Sequence, residues 1–291
     1  MTTELIHAFA AARGLPPTYG HDIERWLLPL LKALRAQLPN RRPFVLGING
    51  CQGSGKSTLS ALIVELLDAQ GLAAATVSLD DFYLGRLQRQ RLAKHVHPLL
   101  LTRGVPGTHD VDLALTTLRR LQANSGEPVA LPRFDKASDE PLAADDWPRL
   151  DSGALDVLIL EGWCLGARAQ RATALETPCN ALERNEDPDS SWRGYVNERL
   201  GAEYQTLFAL IDHLLLLQAP SFDCVEGWRN KQEQALRERV GADAPGVMSE
   251  GEVARFVQHF ERVTRHCLAT LPAIADTVFA LDESQRIIAA S

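Results

Sequence analysis

Short apolar runs along the chain alternate with stretches whose apolar residues recur at helical spacing. The first clear run covers residues 44–48 and leads into a polar, glycine-rich segment. A helical stripe follows, formed by Leu59, Leu62, Ile63, Leu66 and Leu67. Steps of three and four residues predict a helix, and Gly71 follows as a stop signal. Residues 44–70 are therefore predicted to form a strand, a glycine loop and a helix.

Further apolar runs predict five more strands. They cover residues 73–79, 129–134, 156–160, 213–217 and 277–281. Each run is short and apolar, which is typical of strands buried on both faces of a sheet. Helical stripes separate several of them, at residues 111–122, 196–207 and 253–268. Strands that alternate with helices predict an α/β fold, with a mostly parallel sheet flanked by helices on both faces.

Two polar stretches interrupt this alternation. Residues 137–152 and 168–191 are rich in Asp, Glu, Pro and Ser, so they are predicted to be loops that are long for a compact domain. Such loops are either lids over a substrate or solvated insertions. Ahead of the first strand, the amphipathic segment 23–38 predicts a helix packed on the main domain. We therefore divide the chain into an N-terminal helical extension, residues 1–42, and an α/β domain with lid-like insertions, residues 43–291.

Composition and charge exclude several classes of protein. The chain has 291 residues, of which 45% are hydrophobic and 23% charged, as in ordinary globular proteins. Its formal net charge of −7 opposes binding to a phosphate backbone, so no nucleic-acid partner is expected. The five cysteines are odd in number and form no C-x-x-C pair, which favours reduced thiols.

The chain also lacks the sequence signals of secretion and of membrane insertion. No basic region is followed by an apolar leader, and no apolar run approaches the roughly 20 residues of a membrane span. We expect a cytoplasmic protein without a membrane partner, whose oligomeric state the sequence leaves open.

The glycine-rich segment carries the strongest chemical signal. Residues 50–57 match the pattern G-x-x-x-x-G-K-S/T, directly after a predicted strand and at the start of a predicted helix. Glycines let the backbone wrap around an anion, while N–H groups and the helix N-terminus supply positive charge. Lys56 is expected to reach the terminal phosphates and to assist catalysis. The predicted ATP-binding residues are Gly50, Cys51, Gln52, Gly53, Ser54, Gly55, Lys56, Ser57 and Thr58.

Later residues distinguish between classes of nucleotide enzyme. Glu161 directly follows the apolar run 156–160, where a carboxylate is placed to hold Mg²⁺ or its water. The Ser57 hydroxyl is predicted to be a second ligand. We therefore predict Mg²⁺, with ATP as co-substrate. The same run does not read D-x-x-G, and the Asn-Lys pair at 230–231 is not followed by the Asp that reads guanine. A GTPase is thus disfavoured.

Paired carboxylates follow the predicted strand 73–79. A hydroxyl acceptor needs a carboxylate near the γ-phosphate to take its proton, and we predict that Asp80 is this base. Asp81 is assigned to the substrate site. As an alternative, one of these two aspartates caps the following turn. Tyr83 is expected to floor an acceptor pocket, whereas Phe82 fits such a pocket or the core equally well.

Cationic side chains recur in the polar segments. Arg103 and His109 precede a predicted helix, and Arg133 and Lys136 follow a predicted strand. These four are suited to holding an anionic acceptor, although solvated surface charge is the alternative for the second pair. Arg229 is predicted to swing over the transferring phosphate as a lid arginine and so to act in catalysis.

Taken in order, these motifs resemble the plant-type D-glycerate 3-kinase group with its bacterial and fungal relatives. More distantly, the chain resembles phosphoribulokinase, uridine kinase and pantothenate kinase. The resemblance covers nearly the whole chain from about residue 43 and rests on segments 50–57, 78–83, 103–110, 132–136, 160–163 and 228–233.

The resemblance implies a P-loop kinase with magnesium-ATP as donor and a small hydroxylated acceptor. It further implies that Lys56 and the loop amides bind phosphates, that Ser57 and Glu161 serve magnesium, and that Asp80 is the base. We expect transfer of the γ-phosphoryl group to a hydroxyl of D-glycerate or a similar small anionic metabolite. The alternatives are a sugar, nucleoside or pantothenate-like acceptor, or an ATP-binding regulator with little turnover.

Overall fold

The structure is a computed structural model that describes residues 2–38, 42–151, 154–241 and 247–291. The α-helices are α1 (Thr2–Ala12), α2 (Thr18–Asp22), α3 (Leu28–Arg35), α4 (Lys56–Asp68), α5 (Arg86–His95), α6 (Val111–Gln122), α7 (Ala172–Leu175), α8 (Ala181–Glu186), α9 (Ser191–Gly201), α10 (Glu203–Phe208), α11 (Asp223–Val240) and α12 (Glu250–Thr270). The strands are β1 (Phe44–Gly50), β2 (Ala74–Ser78), β3 (Val129–Ala130), β4 (Phe134–Asp135), β5 (Glu140–Pro141), β6 (Arg149–Leu150), β7 (Val157–Gly162), β8 (His213–Gln218), β9 (Thr277–Leu281) and β10 (Ile287–Ala290).

A six-stranded sheet in the order β10-β9-β8-β1-β7-β2 forms the centre of the molecule. Its strands are parallel except β10, which runs antiparallel to β9. In β1, Leu46 pairs with Ile159 on one side and with His213 on the other. Every residue of β1 and β7 is buried, as the continuous apolar runs indicate. The predicted α/β fold with a mostly parallel sheet is confirmed.

Helices cover both faces of this sheet because successive strand residues point to opposite sides. Val45 and Leu158 belong to an apolar cluster with residues of α6, α9 and α10. Their neighbours Leu46 and Ile159 belong to a second cluster with residues of α1, α4 and α11. Helix α12 contributes to both clusters. The N-terminal segment, residues 2–38, packs on the second face, where the predicted helix at 23–38 is present as a π-helical turn (Ile23–Leu27) followed by α3.

The segment 129–150, predicted as a strand and a loop, is instead a pair of small hairpins. Strand β3 pairs with β6, and β4 pairs with β5, so the prediction of one strand over 129–134 is wrong. Pro132 lies between β3 and β4 and has no N–H to donate to a ladder, which interrupts the strand. We call this unit the hairpin segment.

The second polar stretch also contains regular structure. Helices α7 and α8 lie within 168–191, which was predicted to be a loop. The side chain of Asn180 accepts a hydrogen bond from the Glu183 amide and caps α8. We call residues 168–201 the helical insertion. The helical stripe at 196–207 is divided between α9 and α10, because Ala202 leaves helical geometry with φ −105° and ψ −107°.

One buried ion pair lies within the helical insertion, and a second joins the insertion to α12. An Nη1 atom of Arg193 lies 2.8 Å from Asp187 Oδ2, and both side chains are buried. Arg262 on α12 pairs with buried Glu183 at 2.6 Å. Buried charges need such partners, so this insertion is part of the packed structure. No helix among the described residues has the length and apolar content needed to cross a membrane.

Candidate active site

The glycine loop between β1 and α4 adopts the conformation of an anion-binding loop. Gly53 and Gly55 have φ of +77° and +91°, in the left-handed region that favours glycine. A Cβ atom on Gly53 would also lie 2.6 Å from the Cβ of Trp228. Lys56 begins α4, and its ammonium donates a hydrogen bond to the Cys51 carbonyl at 3.1 Å. The backbone amides of the loop and the start of α4 therefore converge on one position.

Two side chains with oxygen atoms suited to a metal ion lie beside this loop. Glu161 and Ile48 pair across β7 and β1, so the carboxyl end of β7 places the Glu161 side chain next to the loop. The Ser57 hydroxyl donates to Glu161 Oε1 at 3.2 Å. A hydroxyl and one carboxylate fit Mg²⁺, which prefers oxygen ligands and completes its shell with water and substrate phosphates.

Asp80 lies at the carboxyl end of β2, in a short 3₁₀ turn (Leu79–Phe82). The Tyr83 hydroxyl donates to Asp80 Oδ1 at 2.7 Å, and the Lys136 ammonium lies 2.7 Å from Asp80 Oδ2. Burial raises the pKa of Asp80, but the charge and hydrogen bond of Lys136, together with the Tyr83 hydroxyl, outweigh burial and lower it to about 2. Asp80 is therefore a carboxylate at neutral pH.

The neighbouring Asp81 has a different environment. Its carboxylate accepts from the Ser78 amide at 3.3 Å and from Arg133 at 3.1 Å. Burial raises the pKa of Asp81, and Arg133 opposes that rise. Of the two carboxylates, Asp81 is thus the one that caps the turn.

A central cavity of about 300 Å³ is lined by the glycine loop and by the carboxylates of Asp80 and Glu161. Its wall contains the cations and carboxylates Lys56, Arg103, Lys136, Arg229, Asp80 and Glu161. Tyr83, Trp163, Phe256 and Phe260 supply aromatic surface. Opposite charges converge at the same edge of the sheet, where ligands bind in open α/β folds.

Arg103 is held at the wall by a partner that sequence reasoning missed. Its guanidinium forms an ion pair with Asp139 and lies 5.4 Å from the centre of the Phe134 ring. Asp139 also pairs with buried Arg89 at 2.7 Å. Asp139 belongs to the hairpin segment, which carries Lys136, so one carboxylate joins both cationic elements. Nothing in the polar stretch around residue 139 distinguishes this side chain from a solvated one.

Three predicted substrate residues lie behind the cavity wall. His109 is buried, its Nδ1 lies 2.6 Å from the Tyr204 hydroxyl, and its ring centre is 4.8 Å from that of Tyr83. Burial lowers the pKa of His109 to about 4, which keeps the ring neutral at neutral pH. His109, Arg133 and Asp81 support Tyr83 and the hairpin segment. Their direct contact with an acceptor stays a prediction.

Arg229 lines the cavity from α11. Its guanidinium lies 2.7 Å from Glu233 Oε2, one helical turn further along, and 6.0 Å from the centre of the Phe256 ring. Gln232 and Phe256 also line the cavity, although neither was predicted. Phe256 belongs to the apolar stripe of α12, and the stripe alone does not separate a lining residue from a core residue. The lid role of Arg229 stays a prediction.

A second, smaller cavity of about 230 Å³ lies on the other side of the glycine loop. We call it the side cavity. It shares Gly53 and Gln232 with the central cavity. Its remaining wall comes from the glycine loop, the start of α4, the N-terminal segment, β8, β9, β10 and the turn between the last two strands. One loop therefore separates a charged cavity from a more apolar one.

Comparison with known proteins identifies relatives that span most of the chain. No family model matches it. An uncharacterized kinase of Schizosaccharomyces pombe, mug58, is 35% identical over 243 residues, which cover 79% of this chain and 83% of that protein. The chain belongs to the phosphoribulokinase/uridine kinase-like P-loop kinases, in the group that contains D-glycerate 3-kinase.

Two further relatives of this kinase carry the name D-glycerate 3-kinase. The chloroplastic enzyme of Arabidopsis thaliana is 30% identical over 254 residues, which cover 82% of this chain but only 52% of the plant protein. The solved structure of the Cryptococcus neoformans enzyme superposes with a TM-score of 0.74 at 25% identity and covers 91% of this chain and 95% of that one. The protein is an ATP-dependent small-molecule kinase that phosphorylates an alcohol group.

Proposed function

We propose that this kinase phosphorylates D-glycerate with magnesium-ATP as the donor. The observation that carries the proposal is the position of Arg103 and Lys136 beside Asp80, in the cavity that also holds the phosphate loop. A small acceptor with a hydroxyl at Asp80 would place its carboxylate within reach of these two cations. The names of the plant and Cryptococcus relatives support the same acceptor.

In the proposed reaction, Asp80 orients the acceptor hydroxyl towards the γ-phosphorus. The hydroxyl oxygen forms the new bond to phosphorus, the bond to the ADP oxygen breaks, and the hydroxyl proton passes to Asp80. Lys56 and the loop amides hold the phosphates and offset the charge that develops on them. Arg229, on the same wall, would contact the transferring group from α11.

Lys136 couples acceptor binding to the proton affinity of Asp80. Its side chain is 61% exposed, so the ammonium is free to turn from Asp80 towards the carboxylate of a bound acceptor. Removing that cation from Asp80 raises the pKa of the carboxyl group, because burial and the remaining partners then set it. The base therefore gains proton affinity when the acceptor is bound.

Ser57 and Glu161 are the residues that would hold Mg²⁺. When bound, the ion would neutralise charge on the β- and γ-phosphates. The Ser57 hydroxyl lies 3.2 Å from Glu161 Oε1, so one ion beside the loop would contact both oxygens.

Acceptor-dependent formation of ADP tests the proposal. We expect magnesium-ATP and D-glycerate to give ADP, and glycerol, which has the hydroxyls but no carboxylate, to give none above background. Sugars, nucleosides and pantothenate complete the panel. Preference for one of these, or no acceptor-dependent ADP at all, would contradict D-glycerate as the substrate.

Replacement of the proposed base isolates the chemical step. Asp80→Asn keeps the shape of the side chain but accepts no proton, so we expect kcat to fall at least about 100-fold with ATP affinity retained. Asp145→Asn, at an exposed aspartate of the hairpin segment, is the control and should behave as wild type. Near-normal turnover in Asp80→Asn would show that another group takes the proton.

A further inference from the structure

The side cavity is built partly from the N-terminal segment, which lies outside the sheet. Leu15, Tyr19 and Ile23 form one wall, and Leu281 and Ile287 form another. Between them the cavity reaches Gly53, in the phosphate loop. These walls present apolar and aromatic surface, which suits a flat heterocycle better than a phosphate.

Two contacts connect the cavity walls to each other and to the phosphate loop. Arg286 forms a two-point ion pair with Asp22 on α2, at 3.0 and 3.1 Å. The side-chain amide of Gln285 donates to the carbonyl of Gly53. The N-terminal segment, the turn after β9 and the phosphate loop are therefore connected around a single opening. These contacts hold the walls together before a ligand binds, which lowers the entropy cost of binding.

Two residues that line the cavity, Tyr19 and Ser54, have hydroxyls that lack a partner. Both hydroxyls are buried and form no hydrogen bond with any residue that the structure describes. A buried hydroxyl without a partner destabilises the folded protein, and a polar ligand in the cavity would satisfy it. A slot with apolar walls and unpartnered hydroxyls among its lining residues matches a nucleoside, which has a flat base and a polar ribose.

The direction of the nucleotide follows from the loop that the two cavities share. Gly53 lies in the walls of both. A triphosphate on the loop amides has its γ-phosphate in the central cavity, near Asp80 and Glu161. The other end of the nucleotide then leaves the loop on the opposite side, where the side cavity begins.

We propose that the N-terminal segment forms part of the nucleotide site, with Leu15, Tyr19 and Ile23 closing a slot for the base and ribose of ATP. This inference rests on the proposed function, because it requires a triphosphate on the phosphate loop. It gives the segment a role in recognising the nucleoside in addition to packing on the sheet.

Binding of two probes to one filled-cavity variant tests the inference. Thr18 is exposed and lines the side cavity, so Thr18→Trp would fill it without disturbing the core. We expect the Kd of magnesium-ATP to rise about tenfold or more, while the Kd of magnesium-tripolyphosphate, which has no nucleoside, stays unchanged. Tyr19→Phe, which removes only its unpartnered hydroxyl, should weaken ATP in the same selective way by a smaller factor.

His21→Trp is the matched control. His21 is an exposed residue of the same helix that does not line the cavity, so this variant should bind both probes as wild type does. Thermal unfolding of each variant checks that it is folded. Unchanged ATP affinity in Thr18→Trp, or equal weakening of both probes, would overturn the inference and leave the kinase assignment standing. A wild-type protein that binds neither probe would overturn the proposed function and the inference together.

Discussion

Asp80 is held between two side chains that come from different parts of the sequence. Tyr83 lies three positions away in the same motif, and Lys136 comes from the hairpin segment. The motif was enough to predict the position of Asp80, because a carboxylate at the end of a strand is placed by the strand itself; its role as the base stays a prediction. The pairing with Lys136 depends on where the hairpin segment packs, which no local pattern specifies.

Removing the ammonium should raise the pKa of Asp80 in the free enzyme. In wild type this pKa is about 2, so Asp80 stays a carboxylate as the pH falls to the acid range. In Lys136→Met burial still favours the protonated form, and Asp80 gains its proton at a higher pH. We expect the acid limb of the kcat/KM profile to move upwards.

Lys136→Arg keeps the positive charge and is the control for that profile. Its acid limb should stay close to that of wild type. Coincident profiles for Lys136→Met and wild type would show that Lys136 does not set the protonation state of Asp80. Lower kcat/KM at every pH, without a shift of the limb, would indicate loss of acceptor binding alone.

The difference between local motifs and distant partners also explains which other site residues were predicted. The glycine loop and Glu161 were predicted because each lies at the carboxyl end of an apolar run and carries its chemistry in adjacent residues. Asp139 was missed because its two arginine partners, Arg89 and Arg103, lie far from it in sequence. Residues that act through distant partners have no local signal in a single sequence.

At the scale of elements, polar composition was a poor guide to secondary structure. The helical insertion is rich in acidic residues, and it was predicted to be a loop for that reason. Three of its charged residues, Glu183, Asp187 and Arg193, are instead buried and paired. The Asp187 carboxylate also accepts from the Trp192 amide at 2.8 Å. Burial of a charge depends on the partner that the fold supplies, and composition does not report that partner.

Removal of one member of the buried Asp187–Arg193 pair should lower the stability of the helical insertion or of the whole protein. Asp187→Ala leaves the Arg193 charge buried without its partner, and breaking such pairs costs about 3–5 kcal/mol. We expect a fall of this size in the free energy of unfolding, measured by denaturant titration.

An exposed pair provides the comparison. The Glu198 side chain, which pairs with Arg199, is 68% exposed, and exposed pairs contribute about 0–1 kcal/mol. Glu198→Ala should therefore change stability little. Equal effects of the two substitutions would mean that Asp187 is not needed to compensate a buried charge.

At the scale of the whole molecule, the five parallel strands of the sheet were predicted, whereas the antiparallel edge strand β10 was not. Continuous apolar runs marked β1, β7, β8 and β9, because both of their faces are covered. Strand β10 has only Ile287 buried, and its remaining residues are exposed, so it carries no such run. The net charge of −7 likewise gave no sign that four cations face one cavity.

Nucleotide binding should stabilise the entire molecule. The proposed site joins the N-terminal segment, the phosphate loop and the turn after β9, so unfolding of any of them releases the ligand. At a concentration 100 times its Kd, ATP would add about 2.7 kcal/mol to the free energy of unfolding. Thermal unfolding with and without magnesium-ATP measures this effect, and Lys56→Ala should show a smaller rise at the same concentration. An unchanged midpoint at high ATP would argue against a nucleotide site in the folded protein.

The order of strands in the sheet also determines when the molecule can fold. Strand β1 lies at the centre, yet its two neighbours, β7 and β8, are separated from it by long stretches of chain. During synthesis, β1 and the phosphate loop leave the ribosome early. Strand β1, which is apolar, has both neighbouring strands available only after residues up to Gln218 have been made. Pairings between such distant segments form slowly and leave apolar strands exposed meanwhile. The arrangement that brings the reactive ends of β1, β2 and β7 together thus delays completion of the site until most of the chain has been made.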